Sequence, residues 1–194
     1  MDTLELRRQI VHASGILTIL PLLWFGKWTG LVVTGSILAI FLIWAMWRQN
    51  MHHPSTGIGR FAESFVTKYE RSGERPLMGA ITFYVGATLA ILFFNVAIAA
   101  ASIAVLALAD SASTVIGSYL GKHKLAANRK KSWEGSAAFW LTSFAVLLVF
   151  VSPLRAFAVA LMAMTVEALP KIDDNISIPL TVGILLTALS YFNI

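Results

Sequence analysis

Apolar residues run along this chain in blocks too long for the face of a soluble helix. Residues 10–47 carry a single formal charge, Lys27, between Gly26 and Gly30. Residues 77–117 are interrupted strongly only by Asn95 and Asp110. Residues 135–170 break at Ser152, Pro153, Leu154 and Arg155, where Pro153 removes a backbone donor. A last apolar run covers residues 176–192. A helix rises about 1.5 Å per residue and the hydrocarbon layer of a bilayer is about 30 Å thick. As single helices the first three blocks would reach roughly 55–60 Å, about two crossings each. Turns are therefore expected at residues 25–29, 94–96 and 152–155. The pattern predicts an all-α, polytopic membrane bundle of about seven transmembrane helices, forming one domain over residues 1–194.

Composition agrees with lipid as the solvent. The 194 residues are 57% hydrophobic and 13% charged, and mean hydropathy is +0.74. Soluble domains are roughly 45–50% apolar and about 25% charged. The N-terminal Met1–Gly15 stretch reads as mature protein, not as a signal peptide. With no cysteine, disulfides and thiolate metal sites are excluded.

Charge sets the expected direction of insertion. With the N-terminus in the cytoplasm, the inner segments are the N-terminal tail and residues 48–76, 118–134 and 171–175. Thirteen of the fifteen Lys and Arg then lie inside, leaving only Lys27 and Arg155 outside. The net charge of +5 is thus a topology signal and does not call for nucleic acid. Trp24 and Trp28 are placed at the outer boundary, Trp44 and Trp47 at the inner one. All ten acids also fall on or toward the cytoplasmic half. The positive-inside rule does not require that, so this face is expected to hold a polar site. The loop 48–76 contains Pro54, Gly57, Gly59 and Gly73 and reads as part loop, part short surface helix.

Three clusters carry candidate chemistry. Asp110 stands in an apolar run, where a lone carboxylate costs at least a few kcal/mol and should face a cation or a wet cavity. A structural ion pair is the alternative. Gly117 and Gly121 lie four apart, followed by Lys122, His123 and Lys124. The spacing permits close backbone approach but more often marks helix packing, and it is not a Walker A loop. Lys130 and Lys131 precede Ser132, Trp133, Glu134, Gly135 and Ser136, where a helix begins. Free N–H groups there, with the lysines, favour phosphate, although such cations also serve as ordinary membrane anchors. Glu167, Asp173, Asp174 and Asn175 form the third cluster. Adjacent carboxylates and an amide oxygen are hard donors suited to Mg²⁺. A solvated turn with a helix cap fits the same residues. Arg8 and His12 share a helix face. His12 is either a proton carrier or a packed, hydrogen-bonded side chain. His52 and His53 do not form a metal pair, and no His/Glu spacing fits zinc.

In this order the clusters resemble the CTP-dependent lipid-alcohol kinases: dolichol kinase, phytol kinase and the CTP-using diacylglycerol kinase. The resemblance rests on Glu5 to His12, on Ala109–Ala112 running into Gly117 and Gly121–Leu125, on Lys130–Ser136, and on Val166–Pro170 with Asp173, Asp174, Asn175 and Pro179. Ala109 and Ser111 depart from the pattern, since many relatives have Gly beside the Asp. The resemblance implies transfer of the terminal phosphoryl group of CTP to a polyprenol, dolichol, phytol or geranylgeraniol hydroxyl at the cytoplasmic face. It implies Mg²⁺ held by Asp110, Asp173, Asp174 and Asn175, with Glu134 a further ligand or orienter. Lys122, Lys124, Lys130 and Lys131 would hold the phosphates of CTP, with Gly117, Gly121, Ser132 and Gly135 bordering them. Asp110 or Asp173 would align or deprotonate the alcohol. A CTP:lipid-phosphate cytidylyltransferase would use a similar nucleotide site. An ion-coupled transporter is a third reading, disfavoured by the absence of repeated halves.

Overall fold

The computed structural model describes residues 3–50, 57, 64, 77–169 and 173–191. Most of the loop 48–76 lies outside the described residues, including His52, His53, Pro54, Gly59 and Gly73. So do Pro170 and Lys171.

Among the described residues the chain forms seven helical rods and no strand. They are α1 (Thr3–Phe25), α2 (Lys27–Asn50), α3 (Met78–Phe93), α4 (Val96–Leu120), α5 (Trp133–Leu147), α6 (Pro153–Glu167) and α7 (Asp174–Tyr191). Three of them, α1, α2 up to Arg48, and α4, are long and apolar enough to cross a membrane. α1 tightens into a 3₁₀ turn at Gly15–Thr18.

The expected breaks occur, each with a local cause. Gly26 ends α1 at φ +85°, a conformation that favours glycine. Asn95 caps α4 by accepting the Ile98 N–H at 2.9 Å. Pro153 occupies the first turn of α6, where no intrahelical donor is needed. Lys27, the lone charge of its block, reaches across the first turn. Its Nζ donates to the Leu92 and Phe94 carbonyls at 2.9 and 3.2 Å. It thereby satisfies acceptors left at the C-terminus of α3.

α4 is the central rod. α1, α3, α5 and α7 all pack on it, and 67% of its most apolar window is buried, against 22% for α1 and 17% for α2. Its run of alanines from Ala99 to Ala101 is fully buried, since small side chains let backbones approach closely. The outer rods turn large apolar side chains outward, including Trp24, Phe25, Trp28 and Ile43. An exposed apolar belt of this extent fits a helical membrane bundle. α7 closes against α3 at Gly86, where a β-carbon would collide with the Asn175 carbonyl oxygen. That contact fixes the start of α7, where two candidate site residues lie.

Candidate active site

Three rods bring carboxylates to one point. α4 widens into a π-turn at Leu106–Asp110, a distortion that recurs at functional sites, and Asp110 is its last residue. Glu167 ends α6 and Asp174 begins α7. Carboxylate oxygens of Asp110, Glu167 and Asp174 lie within 4.8 Å of one another, a spacing able to hold a metal ion.

Lys131 enters this group from the loop between α4 and α5. Its Nζ donates to Glu167 Oε1 at 2.6 Å and to Asp174 Oδ2 at 2.7 Å. Glu167 is fully buried and also accepts from Ser113 Oγ at 2.7 Å and Ser136 Oγ at 3.2 Å. Both its oxygens are thus engaged, which makes it the internal anchor for Lys131. Burial works against the Lys131 charge, but Asp110, Asp174 and Glu167 outweigh it and hold its pKa above the ordinary lysine value. Burial pushes the Asp174 carboxyl up to about 6. Lys131 pulls the other way, and Asp110 and Glu167 add to the rise. Three carboxylates and one ammonium leave a formal charge of −2 in a small volume. A divalent cation with oxygen ligands matches that deficit.

The loop of residues 121–132 is held in a defined shape. The Leu125 N–H donates to the Lys131 carbonyl at 3.1 Å and the Trp133 N–H to the His123 carbonyl at 2.9 Å. Lys124 and Ser132 face each other in an isolated antiparallel bridge. Ser132 Oγ caps α5 by accepting the Gly135 N–H at 3.2 Å. A β-carbon on Gly121 would collide with the Gly117 carbonyl oxygen, so the loop root sits directly on α4. Glu134 accepts the Lys122 and His123 N–H groups, both at 3.2 Å, and lies 2.7 Å from His123 Nδ1. Its carboxyl is lowered to about 2, first by its own backbone N–H, against the effect of burial, and then by the His123 contacts.

These elements surround a cavity of about 780 Å³, within the usual range for ligand pockets. Lys124, Asn128 and Lys130 border it from the loop, with Ser132 and Gly135 below them. Asp110 and Gly117 border it from α4, and Asp173, Asp174 and Asn175 from the start of α7. Arg8 and His12 border it from α1. Arg8 pairs with Glu5 at 2.9 Å, and His12 Nε2 stands 3.5 Å from Asp110 Oδ2.

The geometry redistributes several expected roles. Glu134 stands apart from the carboxylate group and clamps the loop through Lys122 and His123. Lys122 and Gly121 belong to that loop root and do not line the cavity. Asp173 is exposed and accepts the Asn175 N–H at 2.9 Å, while Glu167 takes the third place among the clustered carboxylates. Asn175 braces α7 against α3 by donating from Nδ2 to Thr82 Oγ1 at 2.8 Å. Ser113 and Ser136, the hydroxyl donors to Glu167, carry no spacing signal of their own. Glu167 does: like Asp110, it is a carboxylate in an apolar run.

The sequence is similar to those of plant proteins described as phytol kinases. A wheat (Triticum aestivum) protein described as a probable chloroplastic phytol kinase is 31% identical over 147 residues, covering 64% of this chain and 49% of that protein. Chloroplastic phytol kinase 1 of Arabidopsis thaliana is 33% identical over 136 residues, covering 59% and 44%. A soybean (Glycine max) probable phytol kinase 2 is 35% identical over 89 residues, covering 37% and 30%. The chain spans about half the length, or less, of these curated relatives. No family model matches the sequence, and no solved structure matches it.

Proposed function

We propose that this chain, similar to the plant phytol kinases, is a lipid-alcohol kinase that transfers the terminal phosphoryl group of CTP to the primary hydroxyl of an isoprenoid alcohol. The products are CDP and the lipid monophosphate. The observation that carries this reading is the meeting of Asp110, Glu167 and Asp174 around Lys131 beside a cavity with a cationic loop wall.

Phosphoryl transfer asks for alignment and charge neutralisation more than for covalent catalysis. Lys124, Lys130 and Asn128 are placed to hold the polyphosphate from the loop side. Asp110 and Asp174 are the residues that would hold Mg²⁺, with Glu167 fixing Lys131 between them. A bound Mg²⁺ supplies positive charge to the phosphoryl oxygens. In the reaction the alcohol oxygen bonds to the terminal phosphorus as the bond to the CDP oxygen breaks. Asp110 or Asp173 receives the hydroxyl proton. The seven rods are read as seven spans with a cytoplasmic N-terminus, which sets the cavity level with the inner headgroups. There it is open to soluble CTP and to an acceptor anchored in the bilayer.

The test is purified protein in lipid with Mg²⁺, a panel of isoprenoid alcohols, and CTP labelled at either its alpha or its gamma phosphate. Gamma label in the lipid supports the proposal. Alpha label means cytidylyl transfer, and faster transfer from ATP than from CTP removes the assignment of the donor.

A further inference from the structure

We infer that Gln9 and His12 on α1 form the subsite that receives the hydroxyl of the acceptor alcohol, apart from the nucleotide side of the cavity. The inference rests on the proposed kinase reading and assigns one wall of the same site.

Gln9 is 8% exposed and borders the cavity. Its Nε2 donates to Glu5 Oε1 at 2.8 Å, which orients the amide and leaves Oε1 as the free end. That Oε1 is buried and has no hydrogen-bond partner, and the same is true of His12 Nε2. The two residues are three apart on α1 and share a face. The backbone beneath them packs on α4, where Ser111 Oγ, which also reaches the Ala107 carbonyl at 2.7 Å, stands 3.2 Å from the Gln9 carbonyl. The His12 ring lies near the Leu106 backbone, at the start of the π-turn that ends in Asp110. It also meets Phe83 edge-on, with ring centroids 5.0 Å apart. Both side chains are held in place, while Gln9 Oε1 has no hydrogen-bond partner and His12 Nε2 has only the Asp110 carboxylate, 3.5 Å away.

Buried polar atoms are nearly always satisfied, and each exception asks for a reason. Both residues border one cavity, so a ligand bound there can bring the hydrogen-bonding capacity these two atoms lack. Gln9 Oε1 can only accept, so the ligand must offer a donor. A hydroxyl has one proton, which it can donate to Gln9 Oε1, and lone pairs, which it can offer to a hydrogen carried on His12 Nε2.

Two features favour the alcohol over the nucleotide. First, His12 Nε2 is 3.5 Å from Asp110 Oδ2, beside the proposed reaction centre, where the attacking oxygen must lie. Second, α1 turns apolar side chains outward. Ile10 and Val11, between the two residues in sequence, are 61% and 50% exposed. On the proposed reading an alcohol anchored in the bilayer meets this rod, whereas the lysines proposed for phosphate come from the 121–132 loop. Gln9 and His12 are thus assigned to positioning the acceptor.

The experiment measures initial rates for wild type, Gln9→Leu and His12→Gln in lipid, varying isoprenoid alcohol at saturating CTP and then CTP at saturating alcohol. Folding is checked by thermal unfolding, and binding of the alcohol alone by the shift in Tm it produces. In Gln9→Leu, the alcohol KM should rise about tenfold, the scale of one lost hydrogen bond. The CTP KM should stay within about twofold, and the alcohol-induced Tm shift should shrink. Gln9→Glu, which keeps an accepting oxygen, should recover part of the loss. A rise confined to the CTP KM would assign these residues to the nucleotide and overturn the inference. So would unchanged constants in folded Gln9→Leu and His12→Gln. Failure of the kinase reading itself is separate, because wild type would then phosphorylate no alcohol.

Discussion

Replacing Lys131 with Met tests whether the carboxylate group is a balanced unit. The change removes the ammonium that lies 2.6 Å from Glu167 and 2.7 Å from Asp174 while keeping most of the apolar stem. Glu167 has 0% side-chain exposure, so water cannot replace the lost partner. Removing one member of a buried pair costs about 3–5 kcal/mol, because a charge is left uncompensated. Two hydroxyls, from Ser113 and Ser136, still reach Glu167, so the lower end, about 3 kcal/mol, is expected. That is a large share of a typical stability of about 5–15 kcal/mol. Glu167→Gln alone should cost less, because the amide oxygen can still accept and Lys131 keeps Asp174. The double variant should regain about 1–2 kcal/mol relative to Lys131→Met, as the stranded charge is gone. The assay is reversible unfolding in detergent for the four proteins of this cycle. A Lys131→Met cost below about 1 kcal/mol, or no recovery in the double variant, would refute the buried-charge argument.

The remaining expectations follow from the same geometry. Asp110→Asn should abolish phosphoryl transfer while membrane insertion and thermal unfolding stay near wild type, checked by product formation and by Tm. Replacing Lys124 and Lys130 together with Ala should raise the CTP KM by about tenfold or more, as charge-assisted bonds to phosphate are lost; an unchanged CTP dependence would make both simple anchors. Asp174, raised to about 6, sets opposite signs for two pH effects. As pH falls through about 6, protonation should weaken Mg²⁺ binding. In metal-free protein the folded state takes up that proton more readily than the unfolded chain, whose Asp titrates near about 3.9. Stability without metal should therefore rise between about pH 6 and pH 4 while Mg²⁺ affinity falls, measured by unfolding and by calorimetry. Gly86→Ala should push the start of α7 from α3 through the Asn175 carbonyl. It should cost about 1–3 kcal/mol of stability and lower activity by moving Asp174.

Much of the fold was legible because its signals are local. Gly26, Asn95 and Pro153 interrupt apolar blocks at points where a bilayer-length helix must end, and the helices break there. Glycine, an amide cap and proline each have a backbone reason that holds whatever the neighbours do. Asp110 was legible for a related reason, as a carboxylate in an apolar run must be compensated. Its compensation was not legible, because Lys131, Glu167 and Asp174 come from separate segments that only packing brings together. Adjacent acids looked like one ligand pair, yet Asp173 and Asp174 differ in surroundings. Asp174 points to Lys131, while Asp173 takes up the Asn175 N–H. Glu134 shows the opposite limit. The family resemblance implies a metal ligand or orienter at this position. In the fold, the nearest donors are the Lys122 and His123 amides, and these satisfy it first.

That difference between Glu134 and Glu167 has a consequence for how the site works. Both carboxylates hold the 121–132 loop, but at opposite ends and in different surroundings. Glu134 grips the root near Lys122 and His123, while Glu167, sealed from water, grips Lys131 at the far end. Between them lie Lys124, Asn128 and Lys130, the side chains proposed to meet phosphate. A loop tied at both ends loses little further freedom on binding an anion, which lowers the ordering cost of association. The inner tie also joins the two halves of the proposed reaction. Lys131 contacts the carboxylate group and belongs to the same loop that presents the phosphate-binding lysines. A displacement of the loop therefore displaces charge at Asp174 and Glu167 as well, so nucleotide binding and cation binding are expected to be coupled through Lys131.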